Sequence, residues 1–150
     1  MVTGAPRPAG VHRRGGARLD RLILDTSVLV RAEREGRAIQ PLLPDDADVA
    51  LAAVTVAELL VGVEMASGRR RALRKAFVED LLTVIPLESY DLEVARAHAD
   101  LLAATRSSGR PRGAHDLIIA ATAIVSGRTV VTEDRAGFEG LPGVEVRSTR

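Results

Sequence analysis

Four acidic residues are spaced so that a parallel sheet would bring their carboxylates to one edge. Asp25 and Asp134 each follow a short apolar run that predicts a buried strand. Glu58 and Asp116 fall in the predicted first turns of two helices. Where strands alternate with helices, each connecting helix starts at the carboxyl edge of the sheet, which is also where the strands end. All four carboxylates are therefore expected on one side of the fold, where open parallel sheets place their sites.

Such a group of carboxylates indicates a bound divalent cation. Two ionised carboxylates about 5 Å apart repel by roughly 3 kcal/mol at an effective dielectric constant near 20. A cation removes that repulsion, and oxygen ligands without cysteine favour Mg²⁺ or Mn²⁺ over Zn²⁺. A cation of this kind can neutralise a phosphodiester and activate a water. The four acids thus predict metal-dependent phosphodiester hydrolysis, with these acids as the metal ligands.

Two hydroxyl residues next to the acids are candidates to orient them. Ser27 lies two residues after Asp25, and Thr132 lies two residues before Asp134. A hydroxyl can fix the orientation of a carboxylate that binds a metal. Taken alone, each acid could equally be a helix cap, a first-turn acid that complements the helix dipole, or a turn residue. The prediction of a site depends on the four acids together.

Length and composition limit the class of protein. A chain of 150 residues that is 46% hydrophobic is long enough for one domain with a single core. It contains no apolar run long enough to span a membrane, and its N-terminus lacks the apolar segment of a signal peptide. With no cysteine, disulfides, zinc–thiolate sites and cysteine nucleophiles are excluded. We expect a cytoplasmic protein without membrane contact.

The charge distribution argues against nucleic-acid binding by bulk charge. The formal net charge is +1, but residues 1–19 contain four arginines and no acid, so the remainder is mildly acidic. Arginines concentrate at residues 69–74 and 110–112, where they could contact an RNA backbone or form a solvated surface. Three aromatic residues are too few for a base-stacking platform. Any contact with nucleic acid must therefore be local.

Strands and helices are predicted to alternate along the chain after a flexible basic tail at residues 1–20. The tail combines Pro, Gly and Arg without an apolar period. Thr55 is expected to cap the second helix and Pro86 to mark an edge strand. Strands are predicted at residues 22–24, 49–54, 83–87, 129–131 and 144–146. Helices are predicted after Asp25 and Thr55, and at residues 69–82, 90–105 and 116–124, the last one closed by Gly127.

Two other classes of protein also cluster acids or metal ligands. A signalling receiver domain, which is a phosphorylatable binding module, requires a lysine after a late strand, but the only lysine is Lys75. A metal phosphohydrolase of the HD type would use His98, the pair His115 and Asp116, and Asp134. That fold is all-helical, whereas a strand is predicted directly before Asp134. The receiver is excluded and the phosphohydrolase is disfavoured.

Four segments resemble the PIN domain. They are LILDTSVLV at residues 22–30, TVAELLVGVE at 55–64, AHDLIIAATA at 114–123 and VTEDRAGFEGLPGVEV at 131–146. The chain is most similar to the VapC-type toxins of bacterial toxin–antitoxin pairs, and the resemblance covers about residues 21–148. It implies an α/β fold in which helices cover both faces of a central, mainly parallel sheet in an α/β/α sandwich.

The resemblance also implies a function and its partners. It implies a Mg²⁺- or Mn²⁺-dependent endoribonuclease in which Asp25, Glu58, Asp116 and Asp134 match the family's acidic quartet. It further implies a VapB-type antitoxin that inhibits the enzyme, a homodimer, and contact with DNA only through the antitoxin. Gly137 stands where many relatives carry a polar or acidic residue. A PIN domain that binds RNA or its antitoxin without cutting remains the alternative.

Overall fold

The computed structural model describes residues 18–149, which form an α/β fold around a five-stranded sheet. Every pair of neighbouring strands is parallel, in the order β3-β2-β1-β4-β5. The strands are β1 (Arg21–Leu24), β2 (Asp48–Ala52), β3 (Leu87–Glu88), β4 (Thr129–Thr132) and β5 (Val146–Ser148). The predicted fold class is confirmed.

Five α-helices cover the two faces of the sheet. They are α1 (Thr26–Glu35), α2 (Ala53–Glu64), α3 (Gly68–Val84), α4 (Leu92–Ser108) and α5 (Ala114–Ser126), with short 3₁₀ turns at Gln40–Leu42 and Arg135–Gly137. Leu22 and Leu24 of β1 face a buried cluster with α1, α2 and α3, whereas Ile23 faces a second cluster with α4 and α5. Because side chains alternate along a strand, a sheet covered on both faces needs apolar residues at every position. This explains the continuous apolar runs of β1 and β4.

The start of α2 differs from the prediction. Strand β2 ends at Ala52, and Ala52 itself occupies the capping position of the helix. Thr55 is therefore not the cap but a buried residue inside the helix, and its hydroxyl has no partner among residues 18–149. Alanine favours helix, so the chain leaves the strand earlier than its apolar pattern suggests. Glu58 consequently lies in the second turn of α2, not the first.

Other element boundaries also differ from the predictions. Helix α3 continues to Val84, so the predicted strand at residues 83–87 is reduced to the two residues of β3. That strand is at the edge of the sheet, as Pro86 predicted. Helix α4 begins at Leu92 and not at Tyr90, because the Asp91 carboxylate caps it by accepting from the backbone N–H of Val94 at 3.0 Å. The last strand begins at Val146, two residues later than predicted.

The predicted N-terminal tail lies almost wholly outside the described residues. Its last residue, Asp20, accepts a hydrogen bond from the backbone N–H of Asp48 at 2.8 Å. Its carboxylate also pairs with Arg147 at 3.2 Å, which links the start of β1 to β5. Asp20 therefore contacts the sheet. Within residues 18–149, no helix has the length and apolar character that crossing a bilayer would require.

Candidate active site

Asp25 lies at the carboxyl end of β1 and caps α1. Its Oδ1 accepts from the backbone N–H of Thr26 at 2.8 Å, and its own backbone N–H donates to the carbonyl of Val131 at 2.9 Å. The residue is only 5% exposed. The strand end, the helix start and the neighbouring strand β4 together fix this carboxylate in place.

Two hydroxyls hold the second oxygen of Asp25. Ser27 Oγ donates to Asp25 Oδ2 at 2.7 Å, and Thr132 Oγ1 donates to the same oxygen at 2.8 Å. Each hydroxyl also accepts a backbone N–H from the segment after β4: Thr132 from Asp134 at 2.9 Å and Ser27 from Glu133 at 3.2 Å. The two hydroxyls thereby join the end of β1 to the end of β4. The structure places both predicted hydroxyl residues in contact with a predicted acid.

Glu58 reaches the same edge although it starts one turn deeper in α2 than predicted. Thr26 Oγ1 donates to Glu58 Oε1 at 3.1 Å, and His115 Nδ1 lies 3.4 Å from the same oxygen. The Glu58 side chain is 30% exposed, so water reaches it. The sequence offered only weak signals for Thr26 and His115, namely their positions next to Asp25 and Asp116.

Asp116 lies in the first turn of α5, as predicted, with its carboxylate between two glycines. A Cβ built on Gly137 would meet Asp116 Oδ2 at 2.7 Å, and one built on Gly113 would meet it at 3.1 Å. The Gly137 Cβ would also lie 3.7 Å from Asp134 Oδ2. The carboxylates of Asp116 and Asp134 therefore face the same glycine.

The charges of the other three acids act on Asp116. Burial, followed by the charges of Asp25, Asp134 and Glu58, raises the pKa of Asp116 from 3.8 to about 6, and His115 opposes this effect. Repulsion of this kind is felt only by groups that share one region of the fold. The structure thus brings the four predicted acids to one edge of the sheet.

The donor set fits a hard divalent cation. Within residues 18–149, no three His, Asp or Glu side chains already converge as a complete ligand set. Mg²⁺ does not require one, because it usually keeps several waters and binds one or two carboxylates. Gly137 leaves open the space beside Asp116 and Asp134 that a Cβ would fill. A cation held by these acids would offset the negative charges that, together with burial, raise the pKa of Asp116.

A separate cavity lies away from these acids. It has a volume of about 1090 Å³ and is lined by the loop around residues 37–49 and the end of α3, including Phe77 and Ile85. None of the four acids lines it. The candidate site is instead an open region at the carboxyl edge of the sheet.

Comparison with known proteins identifies the family. The PIN domain profile matches residues 22–143. Ribonuclease VapC5 of Mycobacterium tuberculosis is 37% identical over 127 residues, which is 83% of this chain and 92% of that protein. Ribonuclease VapC1 of Rickettsia felis is 26% identical over 126 residues, which is 83% of this chain and 93% of that protein. The chain belongs to the PIN domain family.

Solved structures give the same result. The VapBC-5 structure from Mycobacterium tuberculosis matches with a TM-score of 0.71 and 34% identity, over 85% of this chain and 98% of that one. FitAcB from Neisseria gonorrhoeae matches with a TM-score of 0.62 and 27% identity, over 85% and 97% of the two chains. Within the PIN family, the chain therefore belongs to the VapC-type group.

Proposed function

We propose that this protein is a divalent-metal-dependent endoribonuclease, the toxin of a toxin–antitoxin pair, which hydrolyses phosphodiester bonds in RNA in the cytoplasm. The proposal depends above all on one observation at the carboxyl edge of the parallel sheet: the Asp116 and Asp134 carboxylates face the same glycine, and the Thr132 hydroxyl joins the Asp25 carboxylate to the backbone of Asp134. The relatives named as VapC ribonucleases support RNA as the substrate. Mg²⁺ and Mn²⁺ are the cations that suit this all-oxygen site.

Asp25, Glu58, Asp116 and Asp134 would hold the cation. When bound, it would neutralise the scissile phosphate and lower the pKa of the attacking water. The protein's own groups set the geometry. Ser27 and Thr132 prevent the Asp25 carboxylate from rotating, while Thr26 and His115 restrain Glu58. All of these contacts are made within the protein, and polar groups fixed in this way preorganise a site.

The proposed partners are a VapB-type antitoxin and a second copy of this chain. The matching structure from Mycobacterium tuberculosis belongs to the VapBC family of toxin–antitoxin systems, which supports an antitoxin partner. We expect the antitoxin to inhibit cleavage and to provide any contact with DNA. A PIN domain that binds RNA or its antitoxin without cutting is the competing function, and the intact set of four acids favours the enzyme.

The first experiment is an RNA cleavage assay with purified protein. We expect cleavage with Mg²⁺ or Mn²⁺, none in EDTA, and a loss of at least about a thousandfold in Asp116→Asn, because the electrostatic stabilisation that a metal supplies is worth several kcal/mol. Asp100→Asn is the matched control, since Asp100 is exposed on α4 and has no side-chain partner among residues 18–149. It should cleave like the wild type.

The same assay tests the partner and the competing function. An equimolar amount of the cognate VapB-type antitoxin should abolish cleavage. Cleavage that survives Asp116→Asn or EDTA would contradict the proposed site. If RNA and antitoxin bind but no cellular RNA is cut with either metal, the binding-only function replaces the enzyme.

A further inference from the structure

Arg112 connects the loop before Asp116 to the segment after Asp134. It lies in the loop between α4 and α5, four residues before Asp116. Its guanidinium donates to the carbonyl of Ala136 at 2.6 Å and to the carbonyl of Glu139 at 2.5 Å. Both carbonyls belong to the segment that directly follows Asp134. We call these two hydrogen bonds the Arg112 clamp.

The Arg112 clamp is a specific arrangement of donors and acceptors. A guanidinium carries several donors in a rigid fork and can bond two carbonyls at once, whereas an ammonium group has no such fork. The held segment contains backbone hydrogen bonds from Phe138 to Arg135 at 3.0 Å and from Glu139 to Arg135 at 2.9 Å. The clamp therefore holds a structured turn and not an extended loop.

Gly137, inside the clamped turn, lies close against the Asp116 carboxylate. A Cβ at this position would lie 2.7 Å from Asp116 Oδ2, closer than real Cβ contacts come. The backbone of Gly137 lies outside the left-handed region, so alanine is compatible with its conformation. A side chain at this position would therefore displace the Asp116 carboxylate, whereas the turn itself could accommodate it.

We infer that Arg112 and Gly137 are positioning residues for cleavage: the Arg112 clamp draws the turn after Asp134 against Asp116, and Gly137 lets the two carboxylates face one space. This inference rests on the proposed function. Neither residue is expected to touch the RNA. Their effect is to set the separation and orientation of two acids that come from different strands and helices.

Phe138 provides the competing explanation. Its side chain is 1% exposed and packs in the cluster with α4 and α5, so it could hold the turn without help from Arg112. If so, removing the Arg112 clamp would leave the turn unchanged. Amide exchange in the metal-free protein separates the two explanations without any need for activity.

The first test measures hydrogen exchange at the amides of Phe138 and Glu139 in metal-free protein. In Arg112→Ala we expect exchange to accelerate by about tenfold or more, since two charge-assisted hydrogen bonds are lost. Arg112→Lys should give a smaller acceleration. Arg110→Ala is the control, because Arg110 is exposed in the same loop and its side chain has no partner among residues 18–149.

The second test measures kcat, KM and the affinity for Mn²⁺. Arg112→Ala and Gly137→Ala should each lower kcat and Mn²⁺ affinity by about tenfold to a hundredfold, the range seen when groups that orient metal ligands are removed. KM should stay within about twofold, and Arg112→Lys should recover part of kcat. Gly62→Ala should match the wild type, because a Cβ added at Gly62 would meet nothing within 4 Å.

Each outcome decides the inference. Unchanged exchange in Arg112→Ala, or unchanged kcat and Mn²⁺ affinity in both variants, would overturn it. A raised KM with normal kcat and exchange in Arg112→Ala would make Arg112 an RNA contact and would also overturn it. If the wild type cuts no RNA, the proposed function fails, whereas exchange and Mn²⁺ affinity still decide whether the two residues position the acids.

Discussion

At the scale of single residues, Asp116 is the acid whose ionised form the fold destabilises. It is half-buried, it adjoins two glycines, and it faces three other acids. An aspartate that served only to stabilise the start of a helix would not be placed among like charges. Its favourable interaction with the helix dipole is only about 0.3–1 kcal/mol, which does not offset their repulsion. The arrangement is stable when a proton or a cation neutralises the group. Its raised pKa is therefore a property that can be measured in the metal-free protein.

The sign of the pH dependence follows from the pKa. The folded protein holds the Asp116 proton up to about pH 6, whereas the unfolded chain releases it near 3.8. Ionised Asp116 therefore costs stability, and this cost develops as pH rises from about 4 to 6 and is complete above that window. In EDTA at pH 7.5, Asp116→Asn should raise the free energy of unfolding by about 1 kcal/mol, after allowance for solvent screening.

Urea unfolding in EDTA at pH 4 and pH 7.5 measures this effect. The free energy of unfolding of Asp116→Asn should exceed that of the wild type by a small amount at pH 4 and by the largest amount at pH 7.5. Adding Mg²⁺ should reduce this advantage, because a cation bound to the wild type stabilises only that protein. An equal or smaller advantage at pH 7.5 than at pH 4 would contradict the charge repulsion inferred for this site.

At the scale of elements, Arg128 ties the start of β4 to the neighbouring strands. Its side chain is 5% exposed and bonds the Asp48 carboxylate at 3.0 Å and the Glu88 carboxylate at 3.0 Å. It also donates to the carbonyls of Asp48 and Leu22. These partners belong to β1, β2 and β3, so one guanidinium links four of the five strands. Arg128 lies away from the candidate site, because it precedes the amino end of β4 and the candidate site is at the carboxyl ends of the strands.

Replacing Arg128 should therefore damage the fold and not the chemistry. We expect Arg128→Ala to lower the free energy of unfolding by about 3 kcal/mol. It leaves the part-buried Glu88 carboxylate without its cation, leaves Asp48 only its longer pair with Arg21 at 3.7 Å, and removes a donor from two carbonyls. This loss of stability corresponds to a fall in Tm of about 6–12 °C for a domain of this size. Thermal unfolding measures it, with cleavage assayed well below the Tm and expected to persist.

Arg147→Ala is the matched control, because Arg147 pairs with Asp20 at 3.2 Å on the surface. Exposed ion pairs contribute at most about 1 kcal/mol. If Arg128→Ala were no more destabilising than Arg147→Ala, the linking role of Arg128 would be wrong.

At the scale of the whole molecule, large apolar side chains around one edge strand of the sheet are exposed. Val84, Leu87, Tyr90 and Leu92 are 71%, 49%, 46% and 64% exposed, and they surround the edge strand β3. A grouped apolar surface of this kind often marks a protein interface. It supports the proposed homodimer and gives that proposal a location.

Light scattering should give a mass twice that of the 15.9 kDa chain. Leu92→Glu should shift the protein towards monomer, because a charge in the middle of an apolar interface is left unpaired when the interface forms. Leu19→Glu is the control, since Leu19 is 60% exposed before β1, away from this edge. A monomeric wild type would contradict the dimer, and a dimeric Leu92→Glu would contradict its location.

The sequence alone determined the fold class and the edge of the sheet at which three of the four acids lie. Continuous apolar strands alternating with helices require a parallel sheet covered on both faces, and the carboxyl ends of such strands lie together. Asp25, Asp116 and Asp134 could therefore be assigned to one edge without coordinates. These assignments depend on local patterns of apolar residues, which can be recognised directly in the sequence.

Only the tertiary structure decided the contacts between distant segments. The actual start of α2, the pairing of Glu58 with Thr26 and His115, and the approach of Gly137 to Asp116 all depend on how separate elements pack. The Arg112 clamp joins residues 24 and 27 positions apart, and no periodic pattern encodes such a pair. Spacing along a chain specifies which edge a side chain reaches, but packing specifies what it meets there.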